Sequence, residues 1–315
     1  MSNISSQAQF QAPANSPTIP EALPERGGAR FMDWLFPKIG SHAAYMIAPV
    51  VVLFFFLSGP NSRASVGRFY QHLGVRSRFR LFWLSYLNHL YFSASLIDRM
   101  AMAHGCAKFR VVKAPGLNIA SLPERSIVVG SHLGDWTLCS HAFTRQHERP
   151  IGIIVDLQAN PKFQEHILSK TGSAVRIIDA SRSGIEVILG INDALTSLGQ
   201  VCFLGDRISK NQRLQTTDFF SAPATFPLSA YETALRFGCP VYTFFCIKQK
   251  LSVTGDYFVW VDEIWDGKVP IDAGMLLERY VKRLSTMTRR FPASWFNFHD
   301  FWSGAVAERE SSEMT

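Results

Sequence analysis

The segment Ser126-Ile-Val-Val-Gly-Ser-His-Leu-Gly-Asp-Trp136 decides the fold, because it carries the signals of a strand, a turn and a helix in succession. Residues 126–129 are small or β-branched, which predicts a buried strand. Gly134 permits a tight turn, and Asp135 is expected to cap the helix that follows. His132 is therefore expected where a strand leads into a helix, at the edge of an open α/β sheet where ligands bind.

Strand and helix signals alternate along the rest of the chain. Strands are predicted at 109–113, 126–129, 151–155, 174–178, 200–204, 240–247 and 257–261, and helices at 79–104, 136–146, 161–171, 184–198 and 273–290. This alternation predicts an α/β fold with a mostly parallel central sheet flanked by helices. The segment 218–227 is expected to be a loop with an apolar face.

Four regions are predicted along the 315 residues. Residues 1–30 are rich in Ser, Gln, Ala and Pro and read as a disordered tail without the features of a secretory signal. Residues 31–60 form a membrane-anchoring segment, residues 61–305 form one catalytic domain, and residues 306–315 form a disordered C-terminal tail.

The most apolar run is Ala43 to Leu57, with Pro49 near its middle. As a helix it would extend about 22 Å, short of the ~30 Å hydrocarbon core of a bilayer. Insertion in one leaflet is thus favoured over spanning, and a buried core helix is the alternative. The surrounding stretch from Trp34 to Ile97 contains basic residues and no Asp or Glu, which fits an anionic membrane interface.

Composition narrows the classes of partner. The net charge is +7, which suits nucleic acid, an anionic membrane or an acidic protein. Since the basic residues lie beside the apolar run, membrane lipid is favoured, and nucleic-acid binding rests on charge alone. The five cysteines form no CxxC pair and read as reduced thiols of a cytoplasmic protein. No metal and no cofactor is expected, because zinc spacing and nucleotide-binding glycine motifs are missing from the sequence.

The candidate chemistry centres on His132. An imidazole at this edge can take a proton from a hydroxyl or an amine if a carboxylate holds its other nitrogen. Asp135 is the nearest carboxylate, and Asp206 follows the predicted strand at 200–204. The alternative is that His132 only caps or packs. Arg207 is expected to bind a phosphate or carboxylate of a substrate, or else to form an internal ion pair with Asp206.

Four ordered motifs resemble one family. They are 131–136 (Ser-His-Leu-Gly-Asp-Trp), 203–207 (Phe-Leu-Gly-Asp-Arg), 218–224 (Asp-Phe-Phe-Ser-Ala-Pro-Ala) and 295–302 (Trp-Phe-Asn-Phe-His-Asp-Phe-Trp). Their order and spacing resemble the lipid A biosynthesis (lauroyl/myristoyl) acyltransferase family of the lysophospholipid acyltransferase superfamily. Within it they are most similar to the branch associated with aryl polyene and xanthomonadin pigment clusters. The resemblance covers about residues 30–302.

The resemblance implies an acyltransferase at the cytoplasmic face of the cell inner membrane. It would move an acyl group from an acyl-carrier-protein (or CoA) thioester to a hydroxyl or amine of a lipid or glycolipid, on an anionic membrane surface. His132 is the implied general base, and Asp135 is predicted as the second catalytic residue. The implied substrate-binding residues are Asp206, Arg207, Phe219, Phe220 and Asn297.

The sequence departs from the family pattern at two positions. The family carries Glu or Asp five residues after the histidine, where this chain has Thr137, and it carries Gly where this chain has Ser221. The partner of His132 is therefore ranked as Asp135 first, Asp206 second and Thr137 third. The departure at Thr137 also supports an alternative function, a catalytically weak lipid-binding protein that retains the fold.

Overall fold

Nine strands form the two sheets of the described chain. In this computed structural model, residues 26–117, 121–138, 151–157, 175–209 and 212–302 are described, with side chains from residue 36. The strands are β1 (Val111–Lys113), β2 (Ser126–Gly130), β3 (Ile151–Val155), β4 (Val175–Asp179), β5 (Gln200–Leu204), β6 (Leu214–Asp218), β7 (Pro223–Pro227), β8 (Val241–Lys248) and β9 (Tyr257–Trp265). The helices are α1 (Arg26–Ser58), α2 (Pro60–His72), α3 (Arg78–Ala103), α4 (Gly184–Ser197), α5 (Ser229–Phe237) and α6 (Ala273–Arg290).

The central sheet has seven strands in the order β1-β9-β8-β2-β5-β3-β4. Strands β8 and β9 pair antiparallel, and the other neighbours pair parallel. The predicted α/β class with a mostly parallel sheet is thus confirmed. The order places β2 directly beside β5, with Gly130 opposite Leu204, so that the residues following these two strands meet at one edge.

Both faces of the sheet are covered by apolar packing. Along β2, Ile127 and Val129 belong to one buried cluster, which includes residues of α4, α5 and α6, whereas Val128 belongs to a second cluster on the opposite face. All five residues of β2 are buried. This alternation is the two-residue period of a strand, and it explains why a strand covered on both faces reads as a continuous apolar run.

Three helices precede the sheet. The predicted apolar run lies within α1, which is kinked at Gly40, and the predicted helix 79–104 corresponds to α3. Within the described residues, one helix is long and apolar enough to cross a membrane, at Phe36–Ser58. Helix α1 also includes residues 26–30, which the sequence assigned to the tail.

Some local predictions differ from the structure. The segment 218–227 was expected to be a loop, but it belongs to the β6–β7 hairpin, whose turn places Phe220 and Ser221 in the left-handed region at φ 58° and 62°. Helices α2 and α5 were not predicted. The helix predicted at 136–146 is described only for 136–138, where it is helical. The helix predicted at 161–171, residues 1–25 and the C-terminal tail lie outside the described residues.

Candidate active site

His132 and Asp206 lie side by side beyond the ends of β2 and β5. The Nδ1 atom of His132 is 2.8 Å from Oδ1 of Asp206, and the backbone N–H of His132 donates to Oδ2 at 2.8 Å. One carboxylate therefore holds both the ring and the backbone of the histidine. Asp206, assigned by the sequence analysis to substrate binding, is in the structure the partner of His132.

The charge of Asp206 fixes the proton on His132. The carboxylate is almost fully buried, and Trp295 Nε1 donates to it at 3.3 Å. Burial would raise the pKa of this carboxyl, but the interactions with His132 and Arg207 hold it below its usual range. An ionised carboxylate only accepts hydrogen bonds, so Nδ1 of His132 carries a proton, and in the neutral imidazole Nε2 then carries the lone pair.

Arg207 occupies that lone pair. Its Nη2 lies 3.0 Å from Nε2 of His132. A guanidinium can only donate, so a hydrogen bond between these two atoms requires the lone pair on Nε2. The site therefore brings together a base, the carboxylate that orients it and a cation directly beside the basic atom.

Asp135 is not the partner of His132, and the ranking that placed it first is wrong. Its buried carboxylate contacts Ser95 Oγ and accepts from Arg99 Nε at 2.7 Å and Thr137 Oγ1 at 2.6 Å. It also accepts the backbone N–H groups of Thr137 and Leu138, which is the predicted helix cap. Burial raises the pKa of Asp135, and these partners, led by Arg99, lower it below its usual range.

The turn between His132 and Asp135 is held tightly against two other segments. Gly134 has φ 81°, and a Cβ there would lie 2.0 Å from the Cys246 carbonyl oxygen, so a side chain is excluded. Three backbone hydrogen bonds fix the turn: Gly134 N–H to Ser294 O (2.7 Å), Asp135 N–H to Cys246 O (2.7 Å) and Phe296 N–H to His132 O (2.9 Å).

The predicted aromatic substrate residues lie in core packing. Phe219 and Phe220 are 0% and 4% exposed, and the Phe219 ring packs 5.5 Å from the Trp295 ring, measured between centroids. Asn297 is also buried. Phe219 supports Trp295, which donates to Asp206, so this placement favours a supporting role over direct substrate contact.

His299 is a site residue that the sequence analysis did not identify. Its Nδ1 is buried and has no hydrogen-bond partner among the described residues. Burial lowers the pKa of His299 to about 3, and the charge of Arg207 lowers it further, so the ring stays neutral beside the site. Its neighbour Asp300 contacts Arg68 at 2.5 Å. The dense aromatic motif around it was the available signal for this burial.

Among the described residues, no group of three or more His, Cys, Asp or Glu side chains is arranged to hold a metal ion. The described cysteines are free thiols, and Cys202, Cys239 and Cys246 are buried.

Fold and site together define an α/β protein with a histidine–carboxylate pair at the carboxyl edge of a mostly parallel sheet. The sequence matches the family of bacterial lipid A biosynthesis acyltransferases over residues 120–303. The chain belongs to this family, and it is an acyltransferase that acts on a lipid. A comparison with curated proteins gave no match.

Proposed function

We propose that the protein transfers an acyl group from an acyl-carrier-protein (or CoA) thioester to a hydroxyl or amine of a lipid or glycolipid, at the cytoplasmic face of the inner membrane. The observation that carries this proposal is the hydrogen-bonded pair of His132 and Asp206 with Arg207 beside the basic nitrogen. It supplies the two elements that thioester acyl transfer needs, a general base and a cationic donor.

His132 acts as the base. Its Nε2 takes the proton of the acceptor hydroxyl or amine as the nucleophile attacks the thioester carbonyl. Asp206 stabilises the imidazolium that forms, since its carboxylate already accepts the Nδ1–H. When the tetrahedral intermediate collapses, the C–S bond breaks, and His132 returns the proton to the departing thiolate.

Arg207 must leave Nε2 before the base can act. An anionic group on the incoming substrate, such as a phosphate, attracts the guanidinium and frees the lone pair. Substrate binding and activation of the base are thereby linked. Arg207 thus has a role that a purely structural Asp–Arg pair would not have.

Arg207 is also the proposed donor to the oxyanion. The backbone N–H groups of residues 132–135 all donate to acceptors within the fold and are not available to an oxyanion. Arg207, whose Nη2 lies 3.0 Å from the basic nitrogen, places a cationic donor at the reacting position. Arg207 therefore stabilises the negative charge that develops on the carbonyl oxygen in the transition state.

Asp135 and Arg99 are proposed as positioning residues. The acid that the family carries five residues after the histidine is replaced by Thr137, which donates to Asp135. The Asp135–Arg99 pair fixes the start of the helix after the His132 turn, and it therefore orients the base without touching it.

The donor and acceptor classes follow from charge and family. A net charge of +7 suits long-range attraction of an acidic acyl carrier protein. The same charge suits anionic membrane lipid. The pigment-associated branch stays a prediction of the motif resemblance and concerns only the acceptor.

Turnover by the purified protein tests the proposal. Acyl-carrier-protein and acyl-CoA thioesters are offered with a total lipid extract, and thiol release and acylated lipid are measured by absorbance and mass spectrometry. We expect the wild type to acylate lipid and the His132→Ala variant to lose this activity. For the wild type, the KM for the carrier-protein donor should be lower at low salt than at high salt. Binding of lipid without thioester turnover would instead establish the alternative, a lipid-binding protein that retains the fold.

A further inference from the structure

A broad apolar surface is exposed on the two N-terminal helices. It is formed by the second half of α1 and the first turns of α3. Its exposed members are Met46, Ile47, Val50, Val51, Leu53, Phe54, Phe55 and Leu57 on α1, and Phe79, Phe82 and Trp83 on α3. Met46, Phe54 and Phe79 are 77%, 68% and 72% exposed, and a continuous surface of this kind marks an interaction site. We call it the two-helix face.

The apolar part of α1 is fastened to α3 along its length. Tyr86 on α3 donates to the Pro49 carbonyl at 2.7 Å, and the Phe56 ring on α1 lies 5.1 Å from the Phe82 ring. Val52, Phe56 and Tyr86 form a small buried cluster of their own. Helix α1 is therefore one side of a packed pair.

A polar cluster marks where the apolar part begins. Tyr45 donates to Asp98 at 2.9 Å, and Asp98 also pairs with buried Lys248 at 2.8 Å and accepts from Tyr257 at 2.8 Å. Because Lys248 and Tyr257 belong to the central sheet, this point of α1 is held against the catalytic domain. The 13 residues from 46 to 58 then extend about 20 Å, less than the ~30 Å needed to cross the hydrocarbon core.

The far end of the same segment also returns to the domain. Arg63 donates to the Phe56 and Leu57 carbonyls at 3.0 and 3.1 Å, which closes the end of α1. Helix α2 then carries Phe69 to within 4.7 Å of the Trp295 ring, beside the candidate site. Tyr45 before the apolar segment and Phe69 after it thus contact the same domain, which favours a segment whose two ends lie on one side of a bilayer.

The charge around the face matches anionic lipid. Arg76, Arg78 and Arg80 are exposed next to Phe79, and none of them forms an ion pair with a described residue. From Trp34 to Ile97 the chain has no acidic residue. Apolar side chains flanked by arginines are the pattern of a helix that lies in the interface and contacts headgroup phosphates.

We propose that the two-helix face inserts into one leaflet of an anionic bilayer, with α1 and α3 both in contact with lipid and neither crossing the membrane. This inference builds on the proposed membrane location and makes it specific. Helix α3 also carries Arg99, which holds Asp135 near His132, so one helix runs from the membrane surface to the candidate site.

Membrane topology provides the first test. Protease-sensitive tags are placed at both termini of the full-length protein, and digestion is compared in spheroplasts and inside-out vesicles of a Gram-negative host. Both tags should be cut in inside-out vesicles and protected in spheroplasts. Tags on opposite faces would show a spanning helix and overturn the proposal.

Vesicle flotation tests the face itself. Purified protein should float with phosphatidylcholine vesicles containing phosphatidylglycerol and much less with phosphatidylcholine alone. Reversing Arg76, Arg78 and Arg80 to Glu should weaken binding at least 100-fold, from roughly fivefold per lost arginine. The variant with Phe54→Asp and Phe79→Asp should weaken it about 100-fold through lost apolar burial. All five replaced side chains are exposed, so both variants should fold, and thermal melts check this.

A matched control carries the same charge change elsewhere. Arg236, Lys268 and Lys282 are exposed and lie outside α1 and α3, so their reversal to Glu should leave vesicle binding within about fivefold. An equal loss of vesicle binding in both triple variants would show that binding depends only on the net charge of the protein, and it would overturn the proposal. The wild type could instead self-associate without binding vesicles, and the Phe54/Phe79 variant could abolish that self-association. This result would overturn the proposal and assign the two-helix face to contact with a second copy of the chain. Flotation needs no acyl donor, so its failure is distinct from failure of turnover.

Discussion

Replacing Asp206 with Asn separates the two carboxylates that compete for the role of partner to His132. Asp206 accepts from Nδ1 and from the backbone N–H of His132, both at 2.8 Å. In the Asp206→Asn variant, the side-chain amide has the same shape as the carboxylate but presents an NH₂ group. To keep both contacts, the amide oxygen accepts the backbone N–H and the NH₂ donates to Nδ1. The histidine then carries its proton on Nε2 and has no lone pair for the acceptor.

The expected loss is large. Where a buried Asp–His pair is changed to Asn–His, the wrong tautomer lowers kcat by about 10⁴-fold. At about 1.4 kcal/mol per factor of ten, a loss of 10³ to 10⁴ corresponds to about 4 to 5.5 kcal/mol of transition-state stabilisation. KM should change little, because the substitution alters proton transfer and leaves the surface of the site as it was.

The matched control is Asp135→Asn, the same change at an equally buried carboxylate. Asn retains the helix cap but loses the charge that faces Arg99, so we expect a lower Tm, by several degrees, and turnover within about tenfold of the wild type. Initial rates of thioester turnover, with Tm measured in parallel, distinguish the two variants. The reasoning fails if Asp206→Asn keeps more than a tenth of the activity while Asp135→Asn loses nearly all of it.

Three further outcomes are expected from other residues. Arg207→Lys keeps the charge but loses the planar fork, so kcat/KM should fall at least tenfold while Tm is unchanged, and equal rates would return Arg207 to a structural role. Ser221→Gly relieves a left-handed backbone position and should stabilise the protein by about 0.5–1 kcal/mol in urea unfolding, whereas a lower midpoint would contradict this account. Because burial lowers the pKa of His299 to about 3, the unfolded chain binds a proton below about pH 6.5 that the folded protein does not, and stability falls on acidification. His299→Gln should reduce that slope by up to about 1.4 kcal/mol per pH unit between pH 6 and 4, and an identical slope would show that the imidazole is accessible to protons.

The two buried carboxylates illustrate how far local reasoning extends. Asp135 was correctly predicted as a helix cap, because a cap depends only on the residues that follow it in sequence. The same local reasoning placed it beside His132, and there it failed. Its carboxylate is occupied by Arg99 and Ser95, which come from a helix about 40 positions earlier in the chain.

By itself, the sequence determined the seven strands of the central sheet, most of the helices, the α/β class and the position of His132 at a strand end, because these follow from periodicity and turn residues within short windows. The tertiary structure decided the partner of His132, since the pairing of β2 with β5 brings residues 74 positions apart into contact. It also decided which residues of the apolar run are exposed. That depends on where Tyr45 and Phe56 dock on α3, and docking between distant segments is set by packing that no local pattern encodes.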